Sequence, residues 1–280
     1  LRGLIEGWIK EATPERLSGM LYRGGTALGS SRSKRFFEYE FRKQAFDNLQ
    51  NLGISKLIII GGDGSFNALN QFYVDFKVPF AGIPATIDND ISGTDYCLGV
   101  DTALNMIRSS VDSIRDTASS FSRAFVIETM GRDCGYLAMV SALANGAEVC
   151  LVPEIKYDLD AVGERLRQQR AAGKRYVLGI VAEGTGMAEP LTRWMGDFLD
   201  MDARLTVLGH VQRGGSPTVY DRIMAYKFAV AAVDHLLAGD TNRVVTFRNG
   251  RFGSSSIHQI SDTKHECEAS LLELVRELSC

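Results

Sequence analysis

The sequence predicts an α/β protein in which mainly parallel sheets are wrapped by helices. From residue 56 onward, short β-rich apolar runs alternate with segments of helical period, the rhythm of strand–helix–strand units. Glycine-rich or charged turns repeatedly follow these runs, at the carboxyl end where parallel sheets bind ligands. At 280 residues, 45% hydrophobic and 23% charged, the chain has an ordinary globular composition and length for one large or two intertwined domains.

The elements follow in order. A buried strand is expected at 57–60, where Leu57, Ile58, Ile59 and Ile60 stop on Gly61 and Gly62 before a helix-like stretch at 66–70. A second apolar run gives a strand at 80–83. At 102–119, Ala103, Leu104, Ile107, Val111 and Ile114 keep the spacing of one buried helical stripe. Strands are then expected at 124–128, 149–152, 176–182 and 205–208, with helices at 135–145, 159–172, 216–237 and 266–278. Gly146, Gly173 and Gly239 stand where helices stop. Ser216 and Pro217 read as the N-cap and first residue of the helix they open. Strands at 244–247 and 252–258, parted by Asn249-Gly250, predict a hairpin.

The formal charge of −3 provides no basic field for nucleic acid. No apolar run reaches the ~18 residues of a membrane span and no signal peptide is evident, so a cytoplasmic protein is expected. Cys97, Cys134, Cys150, Cys267 and Cys280 are scattered and read as reduced thiols. The four histidines do not cluster, so no zinc site is expected.

The chemistry concentrates in turns. Gly61-Gly62-Asp63-Gly64-Ser65 joins a strand to a helix, a turn whose backbone N–H groups can approach a polyphosphate. Asp63 would repel phosphate directly, so it reads as a Mg²⁺ ligand beside one. Thr86-Ile87-Asp88-Asn89-Asp90 adds two carboxylates after the next strand, and acids in a loop are otherwise plain turn formers. Met130-Gly131-Arg132 offers a guanidinium that can fork onto phosphate. Glu183 ends a buried strand, and Arg204, His210 and Arg213 flank another, a possible phosphate anchor. Phosphate cradle, metal and proton-accepting carboxylate are the parts of phosphoryl transfer.

Taken in order, RGGT (23–26), GGDGS (61–65), TIDND (86–90), GTDYCLGVDTALN (93–105), MGRDCG (130–135), AEG (182–184) and LGHVQRGGSPTVYDR (208–222) resemble the 6-phosphofructokinase family over almost the whole chain. The resemblance implies two interleaved Rossmann-like three-layer domains. These would be an ATP-binding domain at 1–99 and 212–262, and a sugar-phosphate and effector domain at 100–211 and 263–280. It implies transfer of a phosphoryl group from Mg·ATP to the 1-hydroxyl of fructose 6-phosphate, giving ADP and fructose 1,6-bisphosphate. Gly62, Asp63, Gly64, Ser65 and Arg32 would hold the nucleotide, with Asp63 on the metal. Asp88 would be the base, with Thr86, Asp90 and Arg132 in the catalytic set. Met130, Gly131, Arg132, Glu183, His210 and Arg213 would bind substrate, joined by Arg123 and Arg204 from a neighbouring subunit of a homotetramer. Arg115, Glu148 and Lys174 resemble parts of the family's effector site.

Small residues at Ala85 and Gly64, where pyrophosphate-using relatives carry Lys and Asp, favour ATP as donor. The family's first strand and its glycine-rich loop have no counterpart here, so an upstream portion of about 40 residues is expected to be missing. A catalytically impaired fragment and a regulatory, sugar-phosphate-binding subunit are therefore alternatives. Lipid and NAD kinases share the GGDG turn but lack TIDND and GHVQRGGSP.

Overall fold

A computed structural model describes residues 1–31, 33–262 and 265–279. The chain opens with short helices α1 (Arg2–Ile5) and α2 (Pro14–Leu17), then α3 (Tyr39–Asn51), β1 (Leu57–Gly61), α4 (Asp63–Phe76) and β2 (Phe80–Pro84). Next come α5 (Val100–Phe121), β3 (Ala124–Thr129), α6 (Tyr136–Asn145), β4 (Val149–Leu151), α7 (Leu159–Ala171), β5 (Val177–Ala182), α8 (Ala188–Leu199) and β6 (Ala203–Val207). The last elements are α9 (Val219–Leu237), β7 (Arg243–Arg248), β8 (Arg251–Ser256), α10 (Ile257–Asp262) and α11 (Ala269–Ser279). Among the described residues, no helix is long and apolar enough to cross a membrane.

The chain forms two compact units, Leu1–Thr86 with Ile91–Leu98 and Ser216–Lys264, and Ile87–Asp90 with Gly99–Gly215 and His265–Cys280. In the first, the sheet order is β1-β2-β7-β8, parallel except for the β7–β8 hairpin. Asn249 and Gly250 both take positive φ, as the tight hairpin turn requires. Phe66, Leu69 and Phe72 of α4 are buried along with Phe80 of β2 and Phe228 of α9. The GTDY segment is structural here: Thr94 Oγ1 accepts from the Phe247 amide at 3.0 Å, and the Tyr96 hydroxyl donates to buried Asp221 at 2.5 Å.

Two local expectations change in this unit. The run 57–60 is not buried: Ile58 and Ile60 are 40% and 59% exposed, because β1 lies at the sheet edge and alternate residues face outward. Ser216 and Pro217 do not open a helix. Thr218 is the N-cap, its Oγ1 accepting from the Asp221 amide, while Ser216 donates to the Tyr22 carbonyl at 3.0 Å.

The second unit has a wholly parallel sheet, β4-β5-β3-β6. Buried on both faces, β3 and β5 are near-continuous apolar runs, as parallel strands must be. Val126, Val149, Leu151, Val162, Leu166, Val181, Leu191 and Met195 form one core cluster between sheet and helices. Helix α8, which contributes to that core, lies in a stretch where the sequence reading placed no helix.

Candidate active site

In the first unit, β1 ends on Gly61 and α4 begins at Asp63 with Gly62 as its N-cap. A side chain on Gly61 would start 2.8 Å from Ser65 Oγ, so the tight passage from strand to helix needs glycine there. The Ala85 amide donates to the Gly61 carbonyl at 2.9 Å, tying the end of β2 to the turn. Thr86 Cβ lies 3.8 Å from the point where a side chain on Gly62 would begin. An added side chain on Gly64 would meet nothing within 4 Å, so the helix N-terminus here is open, and its backbone N–H groups and helix dipole favour an anion. Asp63, in the first turn of α4, is a hard oxygen donor at that helix N-terminus. This suits Mg²⁺, which keeps waters and takes one or two carboxylates plus phosphate oxygens.

In the second unit, the turn after β3 is held from several sides. The Met130 amide donates to Gln212 Oε1 at 3.1 Å; the Gly131 and Arg132 amides donate to Glu183 Oε1 at 3.2 and 2.9 Å. Gly131 has φ 138°, and a side chain there would strike the Cys134 carbonyl at 2.3 Å. Gly184 is equally constrained, since its added Cβ would lie 2.0 Å from the Arg132 carbonyl oxygen. Arg132 itself sits at φ 53°, an uncommon left-handed conformation for a residue that is neither Gly, Asn nor Asp.

That strained backbone aims the Arg132 guanidinium at the acidic segment. Its Nε stands 3.2 Å from Asp88 Oδ2 and its Nη1 3.9 Å from Asp90 Oδ2. Asp88 is 3% exposed, whereas the Arg132 side chain is 60% exposed. Burial, then the neighbouring Asp90 charge, push the Asp88 carboxyl above its ordinary value, while Arg132 and Arg213 draw it down. A buried carboxylate poised upward beside a solvent-facing arginine can accept a proton and leave the guanidinium to meet an anion.

The structure thus groups Asp88, Asp90, Arg132, Glu183 and Arg213, with Met130 and Gly131 in the same turn. His210 and Arg213 lie on a 3₁₀ turn, Gly209–Arg213, at the same carboxyl end of the sheet. Arg123 and Arg204 are not brought there. Both bind Asp202, Arg123 Nε at 2.7 Å and Arg204 Nε at 3.0 Å, at the start of β3 and β6. By strand rise, β3 carries the chain about 20 Å from Arg123 to the Arg132 turn. Arg115, Glu148 and Lys174 lie toward the amino ends of β4 and β5. Glu148 pairs with Lys174 and accepts from the Leu178 amide at 2.7 Å, and Arg115 donates to the Asn145 carbonyl. Arg32 lies outside the described residues.

Gln212 and Gly184 stand inside motifs read from the sequence but were assigned no role. The signal was a polar residue that is buried, at 1% exposure, which only the fold reveals. The scattered thiols also change meaning: Cys134, His265 and Cys267 bring their ligand atoms within 4.8 Å of one another, where no soft-metal cluster was expected.

A phosphofructokinase family model matches residues 1–236. Relatives named ATP-dependent 6-phosphofructokinase include one from Sulfurimonas denitrificans, 50% identical over 98% of this chain and 86% of its own length. The one from Staphylococcus aureus (strain MRSA252) is 44% identical over 99% of this chain and 87% of its own. Phosphofructokinase from Saccharomyces cerevisiae superposes with a TM-score of 0.86 at 31% identity, over 93% of this chain; this chain spans only 39% of that longer one. A pyrophosphate-dependent phosphofructokinase from Marinobacter aquaeolei shares the fold at TM-score 0.79 and 21% identity, covering 96% of this chain and 77% of its own.

Proposed function

The chain belongs to the phosphofructokinase family, and we propose that it transfers the γ-phosphoryl group of ATP to the 1-hydroxyl of fructose 6-phosphate. The observation that carries the reading is the Arg132–Asp88 pair, a buried carboxylate of raised pKa beside an exposed guanidinium. Asp88 takes the proton of the 1-hydroxyl as that oxygen attacks phosphorus, and Arg132 stabilises charge on the phosphoryl oxygens. Asp90 holds the guanidinium in place from its other side. Glu183 and Gln212 fix the turn from which Arg132 projects, and His210 and Arg213 meet the 6-phosphate.

Gly62, Asp63, Gly64 and Ser65 cradle the nucleotide phosphates. Asp63 would hold Mg²⁺, which when bound neutralises charge on the β- and γ-oxygens. The open space at Gly64 and the single methyl of Ala85 support ATP over pyrophosphate as donor. On the family reading the protein works in the cytoplasm as a homo-oligomer. In that assembly Arg123 and Arg204, held by Asp202 away from their own chain's acid–arginine pair, serve a neighbour's sugar phosphate.

The direct test is product formation by the purified chain with Mg·ATP and fructose 6-phosphate, followed by phosphorus NMR. Fructose 1,6-bisphosphate should form with ATP and not with pyrophosphate. Binding of fructose 6-phosphate without turnover would instead support the regulatory subunit.

A further inference from the structure

Cys134 is buried, and its Sγ approaches the Asn89 carbonyl at 3.8 Å. His265 and Cys267 come from the segment before α11, and the three ligand atoms lie within 4.8 Å of one another. Tetrahedral bonds of 2.0–2.3 Å to zinc place neighbouring nitrogen and sulfur ligands about 3.4–3.8 Å apart, so small side-chain rotations suffice to close this set on one ion. Glu154 stands alongside, its Oε1 3.7 Å from Cys267 Sγ and 2.7 Å from the Gly135 amide that donates to it. Two thiols, an imidazole and a nearby carboxylate form a donor set for a borderline-soft divalent cation rather than for Mg²⁺. The Gly135–Glu154 hydrogen bond supplies the kind of fixed outer partner that orients a ligand. Glu154 also lines an open cavity of about 630 Å³ together with Val152, Ile155, Lys156 and Thr185, and His265 and Cys267 are themselves only half-buried, so solvent reaches the ligand side chains.

We propose that Cys134, His265 and Cys267, with Glu154 or water as fourth ligand, form a zinc-class cation site that fastens the segment before α11 to the turn carrying Arg132. The site differs from the Asp63 position in ligand chemistry. Because Cys134 follows Arg132 by two residues and touches the 87–90 segment, an ion here stiffens both pieces of the acid–arginine pair.

The test uses the full chain, reduced and freed of metal with a chelator, then titrated with Zn²⁺ and separately with Co²⁺. One equivalent of Zn²⁺ should bind tightly, and Co²⁺ should give the intense near-ultraviolet band of thiolate ligation with a four-coordinate visible spectrum. The double variant H265A/C267A should lose that equivalent and that band, yet melt at the temperature of the metal-free parent. The parent alone should gain melting temperature with Zn²⁺, as a ligand that binds only the folded state requires. Three results would each overturn the proposal: no stoichiometric Zn²⁺, unchanged affinity in the double variant, or a Cys134–Cys267 disulfide that persists under reduction and excludes the ion. Since metal binding and melting are read without substrate, the outcome is independent of whether the kinase reading holds.

Discussion

At the residue scale, Asp88 carries the sharpest expectations. Asp88→Asn keeps the shape but removes the proposed base, so kcat should fall roughly 10²–10⁴-fold with little change in KM for fructose 6-phosphate. If kcat stayed near normal, Asp90 would become the candidate base. The same substitution should raise the melting temperature at neutral pH. A carboxyl whose folded pKa is raised contributes stability below its ordinary pKa and loses it as pH rises through the folded value, so ionised Asp88 costs stability at pH 7. For the same reason the acid limb of kcat/KM should lie above that of an ordinary carboxylate, with activity lost as pH falls. Asp90→Asn, which removes a repelling charge, should move that limb to lower pH; Arg132→Ala should move it up in whatever activity survives. A limb that stays fixed in both variants would show that Asp88 does not titrate it.

At the scale of elements, the turn after β3 and the packing of α4 on β2 make different demands. Glu183 accepts the amides of Gly131 and Arg132 and, on the proposed mechanism, acts through Arg132. Glu183→Ala should therefore depress kcat, and Glu183→Gln, which keeps an acceptor oxygen, should restore much of it. Equal loss in both variants would instead point to direct binding of sugar hydroxyls, the role the family resemblance implied. In the first unit, a side chain on Gly82 would begin 2.7 Å from the Phe66 ring and 2.9 Å from Val244 Cγ2. Phe66 is 1% exposed and has nowhere to swing, so Gly82→Ala should destabilise by roughly 1–3 kcal/mol in a urea melt.

At the scale of the whole molecule, the placement of Arg123 and Arg204 turns on assembly. Both are held by Asp202 at the start of β3 and β6, whose far ends lead to the Arg132 turn and to the Gly209–Arg213 turn. Arg123→Ala should therefore raise KM for fructose 6-phosphate while leaving kcat at saturation nearly unchanged. Sedimentation should show a homo-oligomer at assay concentration. A monomer with the parent's KM would remove the shared-site reading.

The order of the strands and the position of the glycine-rich and charged turns were legible in the sequence alone, whereas helices α3 and α8 were not. Period and glycine punctuation are local properties, and Gly61–Asp63, Asp88–Asp90 and Met130–Arg132 each mark a turn that follows a strand. Position within a sheet is not local. Leu57–Ile60 reads the same in the middle of a sheet or at its edge, and only strand pairing shows alternate isoleucines facing outward. Ser216-Pro217 has the look of a helix start, yet the tertiary pull on Ser216 toward the Tyr22 carbonyl leaves capping to Thr218. The grip of Glu183 and Gln212 on the Arg132 turn joins residues 51 to 82 positions apart. Cys134 meets His265 and Cys267 across more than 100. No periodicity reports such pairings, because they are decided by which strands lie side by side and where the last helix docks.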